Sequence, residues 1–297
     1  MTTRREFIHT AFGSLAAAAA IAPGAAAASQ MGTARRFPLN APVGLQLYSL
    51  RHLFKRGDVA GTLAMVRDWG IQDLEGGGLY GMSVDEFNAL LRKLRLRIVS
   101  VGADYKRLRD EADGVIKDAG AVGARHVMCS WIPHEGPFSR EHTDGAIRVF
   151  NTAGRKLKDA GLEFAYHVHG YEFQPGPDGT LFDVIAKNTD PEVVSFEMDV
   201  FWVARGGGDP LGLFRKYPGR FTLTHLKDIQ KGTPLGDPTG SAPDETSVPL
   251  GQGQIDWPAL LREANKQGVK YHFIEDEHPE AEKQIPVSLE YLERLKL

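Results

Sequence analysis

The segment Leu162-Glu163-Phe164-Ala165-Tyr166-His167-Val168-His169 carries the pattern that decides the fold. Its first six residues form a short apolar run rich in strand-forming side chains, and polar groups follow directly. Seven more runs of this kind occupy residues 43–48, 71–75, 97–101, 126–129, 193–199, 221–225 and 271–275. Segments with an apolar period of about 3.6 residues separate them, and this alternation predicts parallel strands joined by helices.

The number of strand–helix units favours a closed barrel over an open sheet. We therefore predict the α/β class, with a single (β/α)8 TIM barrel. One helix is expected over residues 83–94, where Ser83 and Glu86 form a capping box ahead of apolar positions. Residues 230–254, rich in Gly, Pro, Ser and Thr, follow the seventh run and are predicted to form a lid or rim loop.

The first 28 residues have the features of a twin-arginine signal peptide. Arg4 and Arg5 precede an alanine-rich apolar stretch at 11–22, and Ala26-Ala27-Ala28 supplies small residues for cleavage. A Sec signal or a lipid-free membrane anchor is the alternative. We expect export to the periplasm without stable membrane insertion after cleavage, a short linker at 29–39 and a barrel domain at 40–297.

Replacing both Arg4 and Arg5 with lysine is expected to block export, because a twin-arginine signal depends on its arginine pair. Cell fractionation of the double variant beside the unchanged chain tests this. Normal arrival of the variant in the periplasm would rule out the twin-arginine signal but not a Sec signal.

Charge and cysteine content exclude several classes of protein. The formal net charge is -3, so there is no basic surface excess for nucleic acid. The single cysteine, Cys129, excludes an internal disulfide and a cysteine-based zinc site, and its place in an apolar run predicts a core residue. The sequence leaves the oligomeric state open.

Ionisable side chains are concentrated where the predicted strands end. In a (β/α)8 barrel these ends meet at one mouth, which holds the active site. Unpaired charge is costly there, so these groups need a cation or mutual pairing, and a divalent metal ion (Mn, Co, Zn, Fe or Mg) meets that need most directly. Mixed imidazole and carboxylate ligands suit Mn, Co, Zn or Fe more than calcium. The side chains concerned are Glu75, His167, His169, Glu197, Asp199, His225, Lys227, Asp228, Glu275, Asp276 and Glu277.

Motifs around these positions resemble, in their order, those of the sugar phosphate isomerase/epimerase family of the xylose isomerase-like superfamily. The resemblance covers residues 40–297, and Val168 departs from it by replacing the usual asparagine. The motifs are GLQLYSLR at 44–51, EGGGLYG at 75–81, YHVHGYEF at 166–173, DVFW at 199–202, GDP at 208–210, HLKD at 225–228, GQGQIDW at 251–257 and IE at 274–275.

The resemblance implies one metal ion bound by His167, Asp199, His225 and Glu275. His167 stands where many relatives have a glutamate. Epimerases of the group use two glutamates as ligands and bases, and this chain keeps only Glu275. The departure weighs against a symmetric two-base epimerisation. Trp202, where some sugar epimerases carry a histidine, is expected to stack on a sugar face.

Further residues at the mouth are candidates for catalysis or substrate binding. Lys227 is interpreted as an electrophile or general acid, or as the counter-ion of Asp228. Glu197 should hydrogen-bond a metal-binding histidine, because it faces the same side as Asp199. His169 and Glu75 are the other catalytic candidates, each with a supporting role as the alternative. The substrate-binding candidates are Gln46, Tyr48, Trp202, Glu172 and Glu277, of which the two glutamates are alternatively surface residues.

These features favour a metal-dependent isomerase or epimerase acting on a small non-phosphorylated sugar or sugar derivative. Glu275 would remove the proton α to a carbonyl, and the metal would stabilise the enediolate. One alternative is a lyase or dehydratase that acts on a 3-keto-glycoside or keto-sugar by β-elimination. Another is a non-catalytic sugar-binding protein. A DNA-repair endonuclease of the same fold is disfavoured, because it would need more histidines and a basic face.

Overall fold

A computed structural model describes residues 35–76, 78–176 and 179–297. Within them, eight parallel strands close into one barrel, in which β1 pairs with both β2 and β8. The predicted single (β/α)8 barrel is therefore confirmed. The strands are β1 Val43–Gln46, β2 Asp73–Gly76, β3 Arg97–Gly102, β4 His126–Cys129, β5 Glu163–His167, β6 Ser195–Asp199, β7 Phe221–Leu226 and β8 Tyr271–Ile274.

Helices surround the barrel, and side-chain caps fix several of their starts. Ser83 and Glu86 form the predicted capping box, so the helix begins at Val84. The helices are α1 Arg51–Lys55, α2 Val59–Asp68, α3 Val84–Leu94, α4 Tyr105–Asp110, α5 Ala112–Ala121, α6 Arg140–Asp159, α7 Leu181–Asn188, α8 Val200–Arg205, α9 Pro210–Lys216, α10 Trp257–Gln267 and α11 Ala281–Arg294.

Short elements decorate the loops. Three 3-10 turns cover Leu47–Leu50, Tyr171–Phe173 and Asp244–Thr246. Two small antiparallel pairs join Pro175–Gly176 to Gly179–Thr180 and Asp228–Ile229 to Ser247–Val248.

Apolar side chains fill the barrel below its mouth. Val99, Ala165, Leu223 and Phe273 form a buried cluster contributed by β3, β5, β7 and β8. Because side chains alternate along a strand, the residues two positions after the last three of these, His167, His225 and Glu275, lie on the same inner side but nearer the mouth. The barrel floor therefore supports a polar layer above it.

A larger apolar cluster lies between the strands and the helices, and Cys129 is buried within it. Gly44 marks a close approach of β1 to β2, because a Cβ there would lie 2.4 Å from the carbonyl oxygen of Asp73.

The predicted signal peptide at 1–28 lies outside the described residues. In the expected linker, Arg35 pairs with Glu293 at 2.7 Å, while Phe37 and Leu39 pack against the core. None of the helices in the described ranges is long and apolar enough to cross a membrane.

Candidate metal centre and active site

Four of the side chains predicted to bind metal lie together at the top of the barrel. His167, Asp199 and His225 are fully buried, and Glu275 is 2% exposed. Asp199 on β6 is in register with His225 on β7, which brings their side chains together on the inner side of the barrel. Three of the four come from the ends of β5, β6 and β7, and Glu275 follows β8 directly.

His225 is the centre of this group and is approached by carboxylates at both ring nitrogens. Its Nδ1 lies 3.5 Å from Asp199 Oδ2 and 3.2 Å from Glu275 Oε2. Its Nε2 lies 2.6 Å from Glu75 Oε1 and 3.3 Å from Glu197 Oε2. Burial opposes protonation of the ring, but Glu197, Glu275 and Glu75 outweigh it and raise the pKa of His225 well above its ordinary value.

His167 faces the same group from β5. Its Nδ1 lies 3.0 Å from Glu197 Oε2, the contact that strand alternation predicts for Glu197, and its Nε2 lies 3.8 Å from Asp199 Oδ2. Burial raises the pKa of Asp199. Two imidazoles and a carboxylate thus converge on one point.

The donor atoms of this group fit a divalent cation. One ligand atom from each of His167, Asp199 and His225 lies within 4.8 Å of the others. Asp199 Oδ2 is buried and accepts no hydrogen bond from the described residues. A buried carboxylate oxygen in that state needs a positive partner. Glu275 adjoins the group, with its Oε2 3.2 Å from His225 Nδ1. Mixed imidazole and carboxylate donors of this kind suit a divalent cation.

Glu75, Glu197 and His225 form a second group with similar spacing. Glu75, however, is surrounded by hydrogen-bond donors. Gln46 Nε2 donates to Glu75 Oε1 at 2.6 Å, and the Ser100 hydroxyl donates to Oε2. Sequence reasoning missed Ser100; the one available signal was a hydroxyl within the apolar run of β3.

Lys227 places a buried ammonium beside Glu275. Its Nζ lies 3.0 Å from Glu277 Oε1 and 3.9 Å from Glu275 Oε2, and it sits 4.8 Å from the centre of the Trp202 ring. Burial would lower the pKa of Lys227, but Glu277, Glu275 and Asp199 outweigh it and raise the pKa. The side chain is therefore a protonated acid next to the candidate base.

Aromatic rings line one side of the mouth. His169 stacks on Trp202 with ring centres 4.6 Å apart, and Trp131 meets His169 edge-on at 5.2 Å. Asp199 Oδ1 accepts a hydrogen bond from the backbone N–H of Trp202 at 2.9 Å and so fixes where α8 begins. The indole thus has a fixed place close to the metal-binding group, whereas Trp131 had not been singled out from the sequence.

Two predicted substrate contacts are occupied by the protein itself. The Gln46 amide donates to Glu75 and accepts from the Tyr48 N–H at 3.1 Å. Glu172 is fully buried and accepts hydrogen bonds from the Tyr166 hydroxyl and the His169 N–H, and burial raises the pKa of Glu172 to about 7. Tyr48 itself is 7% exposed beneath the guanidinium of Arg51.

The 230–254 loop covers the mouth, as its position after the seventh strand predicts. A Cβ on Gly240 would lie 3.3 Å from His169 Cδ2, and Asp244 pairs with Arg51 at 2.7 Å. Asp228 holds the base of the loop by accepting hydrogen bonds from the Gly251 and Gly253 N–H groups. Glu275 and Lys227 are almost fully buried at this end of the barrel.

Comparison with known families agrees with this geometry. The xylose isomerase-like TIM barrel family matches residues 63–295. The chain belongs to this family.

Part of the chain is similar in sequence to a dehydratase. Inosose dehydratase from Bacillus cereus (strain AH820) is 30% identical over 95 residues, which cover 32% of this chain and 31% of that protein. The match therefore spans less than a third of the relative's length.

Solved structures show the same barrel. A sugar phosphate isomerase/epimerase from Parabacteroides distasonis ATCC 8503 superimposes with a TM-score of 0.71 at 23% identity, covering 85% of this chain and 98% of that chain. A xylose isomerase-like TIM barrel protein from Mycobacterium smegmatis in complex with magnesium has a TM-score of 0.66 at 17% identity, covering 86% and 96%. The similar proteins thus include one named as a sugar phosphate isomerase/epimerase and one named as an inosose dehydratase.

Proposed function

We propose that this protein is a divalent-metal-dependent lyase that eliminates water or an alcohol from a neutral keto-sugar or keto-glycoside. The observation that carries the proposal is the pairing of one base with one acid. Glu275 Oε2 lies 3.9 Å from the ammonium of Lys227, and β5 ends in His167 rather than in a second carboxylate. His167 is engaged by Glu197 and faces Asp199, so it is poorly placed to act as a base.

Different side chains of the site bind the metal, remove a proton and donate a proton in the proposed reaction. A divalent ion held by His167, Asp199, His225 and Glu275 would act as a Lewis acid on the substrate carbonyl. Glu275 takes the proton from the carbon α to that carbonyl, and the electrons of the broken C–H bond form the C=C bond. Lys227 gives a proton to the oxygen that departs from the β-carbon. Transfer of the captured proton from Glu275 back to Lys227 restores both groups, so the net change is loss of water or an alcohol.

The charges at the mouth support a neutral substrate. Lys227 is paired with Glu277, and Arg51 is paired with Asp244, so neither cation is spare for a phosphate. Export through the signal proposed at residues 1–28 supports the same conclusion, since sugar phosphates are largely cytoplasmic. A stretch of 95 residues is 30% identical to an inosose dehydratase, and this similarity supports elimination.

The test is to incubate metal-loaded protein in D2O with a panel of keto-sugars and 3-keto-glycosides and to follow the products by NMR. Elimination is expected to give an unsaturated ketone or its deoxy-dicarbonyl tautomer, with loss of water or release of the aglycone alcohol. Protein stripped with EDTA is the control and should be inactive until a divalent ion is restored. Turnover in which the product retains every oxygen atom and any aglycone would contradict the lyase proposal.

An isomerase or epimerase is the second candidate, and His169 favours it. This imidazole lies on Trp202 at the mouth, with its ring centre 5.4 Å from that of His167. From there it could return a proton to the substrate at a different position or face. In the same NMR experiment, an isomeric product that carries one solvent deuterium and retains all its oxygen atoms would establish this candidate.

A further inference from the structure

Two groups of potential metal ligands share His225, and they differ in how many hydrogen-bond donors they already contain. The first group joins His225 Nδ1 to Asp199 and Glu275, and the second joins His225 Nε2 to Glu75 and Glu197. A neutral imidazole offers one lone pair and one N–H. The side on which it carries the proton therefore decides which group can hold a cation.

The proton positions around Glu75 follow from the hydrogen bonds of Gln46. The Oε1 atom of Gln46 accepts the Tyr48 backbone N–H, and this N–H can only donate. The amide orientation is thereby fixed, and its Nε2 points a donor at Glu75 Oε1 at 2.6 Å. The Ser100 hydroxyl donates to the other carboxylate oxygen.

Glu75 is therefore an acceptor held in place by β1 and β3, and His225 Nε2 is 2.6 Å from its Oε1. Because an ionised carboxylate only accepts, a hydrogen bond at this distance requires a proton on Nε2. In the neutral, metal-binding form of His225 the lone pair then lies on Nδ1, toward Asp199 Oδ2 and Glu275 Oε2.

His167 shows the opposite arrangement. Its Nδ1 lies 3.0 Å from Glu197 Oε2, and its Nε2 is the nitrogen that faces Asp199. Each of the two histidines thus has one nitrogen on a buried glutamate and the other turned to the same carboxylate. Glu75 contacts Nε2 of His225, and Glu197 contacts Nδ1 of His167. Different ring nitrogens of the two histidines therefore face Asp199.

We infer that Glu75, fixed by Gln46 and Ser100, is a positioning residue that holds the proton of His225 on Nε2 and commits Nδ1 to the metal. His167 binds through Nε2, with Glu197 in the corresponding role. The carboxylate of Glu75 already accepts hydrogen bonds from Gln46, Ser100 and His225. The group around Glu75 is consequently not a second metal site. The inference rests on the metal-binding part of the proposed function, and it assigns Glu75 a role apart from substrate contact.

The nitrogen that binds metal can be read directly by NMR. Protein labelled with 15N-histidine and loaded with zinc is expected to show His225 protonated on Nε2 and metal-bound through Nδ1, and His167 with the reverse pattern. The expected stoichiometry is one zinc per chain. Binding of His225 through Nε2, a second zinc per chain or no zinc binding would each overturn the inference.

A variant measures the contribution of Glu75. Glu75→Gln keeps the size of the side chain but can present either an oxygen or an amide N–H to His225. Zinc affinity by calorimetry is expected to fall about 10–100-fold, the usual scale for a residue that orients a metal ligand. The matched control is Asp183→Asn, a buried carboxylate outside the barrel that accepts from Lys216 and Tyr217, which should leave zinc affinity unchanged.

Equal zinc affinity in Glu75→Gln and the unchanged chain would also overturn the inference. Neither measurement needs a substrate. A protein with the expected NMR pattern but no elimination activity would therefore refute the proposed reaction and leave this inference intact.

Discussion

Glu275→Gln is expected to lower turnover by roughly 10²–10⁴-fold, the range that loss of a general base usually costs. Glutamine keeps the size of the side chain and an oxygen donor for the metal, but it cannot take up the α-proton. Metal content should be measured first, so that the comparison uses fully loaded enzyme. Solvent deuterium exchange at the α-carbon of bound substrate then reports proton removal directly.

Asp199→Asn is the comparison variant for this experiment. Asp199 lies between His167 and His225 and donates nothing to the substrate in the proposed reaction. Its loss should act mainly through metal affinity and should be relieved by excess metal, whereas the Glu275→Gln defect should persist. A metal-replete Glu275→Gln enzyme that exchanges the α-proton at the wild-type rate would exclude Glu275 as the base and direct attention to His169 or Lys227.

The barrel could be predicted because its strands repeat a local pattern. The predicted runs and the observed strands agree to within two residues at every boundary. The run at 193–199 begins two residues before β6, because the Val193 and Val194 N–H groups bond to the Asp190 carbonyl oxygen in a turn. The convergence of His167, Asp199 and His225 was also predictable, since each is one of the last two residues of a parallel strand in one closed barrel.

The partners of Glu75 could not be predicted, because they depend on register between strands. A register shift between Leu74 and Glu75 sets Glu75 opposite Ser100 on β3, while Gln46 pairs with it from β1. No local pattern specifies such a shift. Glu172 is a similar case: Gly170 adopts a φ of 91°, and the chain turns so that the carboxylate lies under the strand end with Tyr166.

Lys227→Met is expected to lower the rate of product formation by roughly 10²–10⁴-fold, because it removes the acid that protonates the leaving oxygen. The α-proton should still exchange with solvent, since Glu275 remains. Lys227→Met should thus retain exchange of the α-proton and lose elimination, whereas Glu275→Gln should lose both. Product release by NMR and exchange by mass spectrometry provide the two measurements on one sample.

The leaving group gives the decisive control for Lys227. A keto-glycoside with an acidic phenol as its aglycone can expel the phenolate without protonation, so Lys227→Met should be far less impaired with that substrate than with an alkyl glycoside. If Lys227 only balances the charges of Glu277 and Glu275, the loss would be equal for both substrates. Adding Glu277→Gln to Lys227→Met would then restore activity, because the pair would be removed together. A loss that depends on the leaving group and is not rescued by the second substitution identifies proton donation as the role of Lys227.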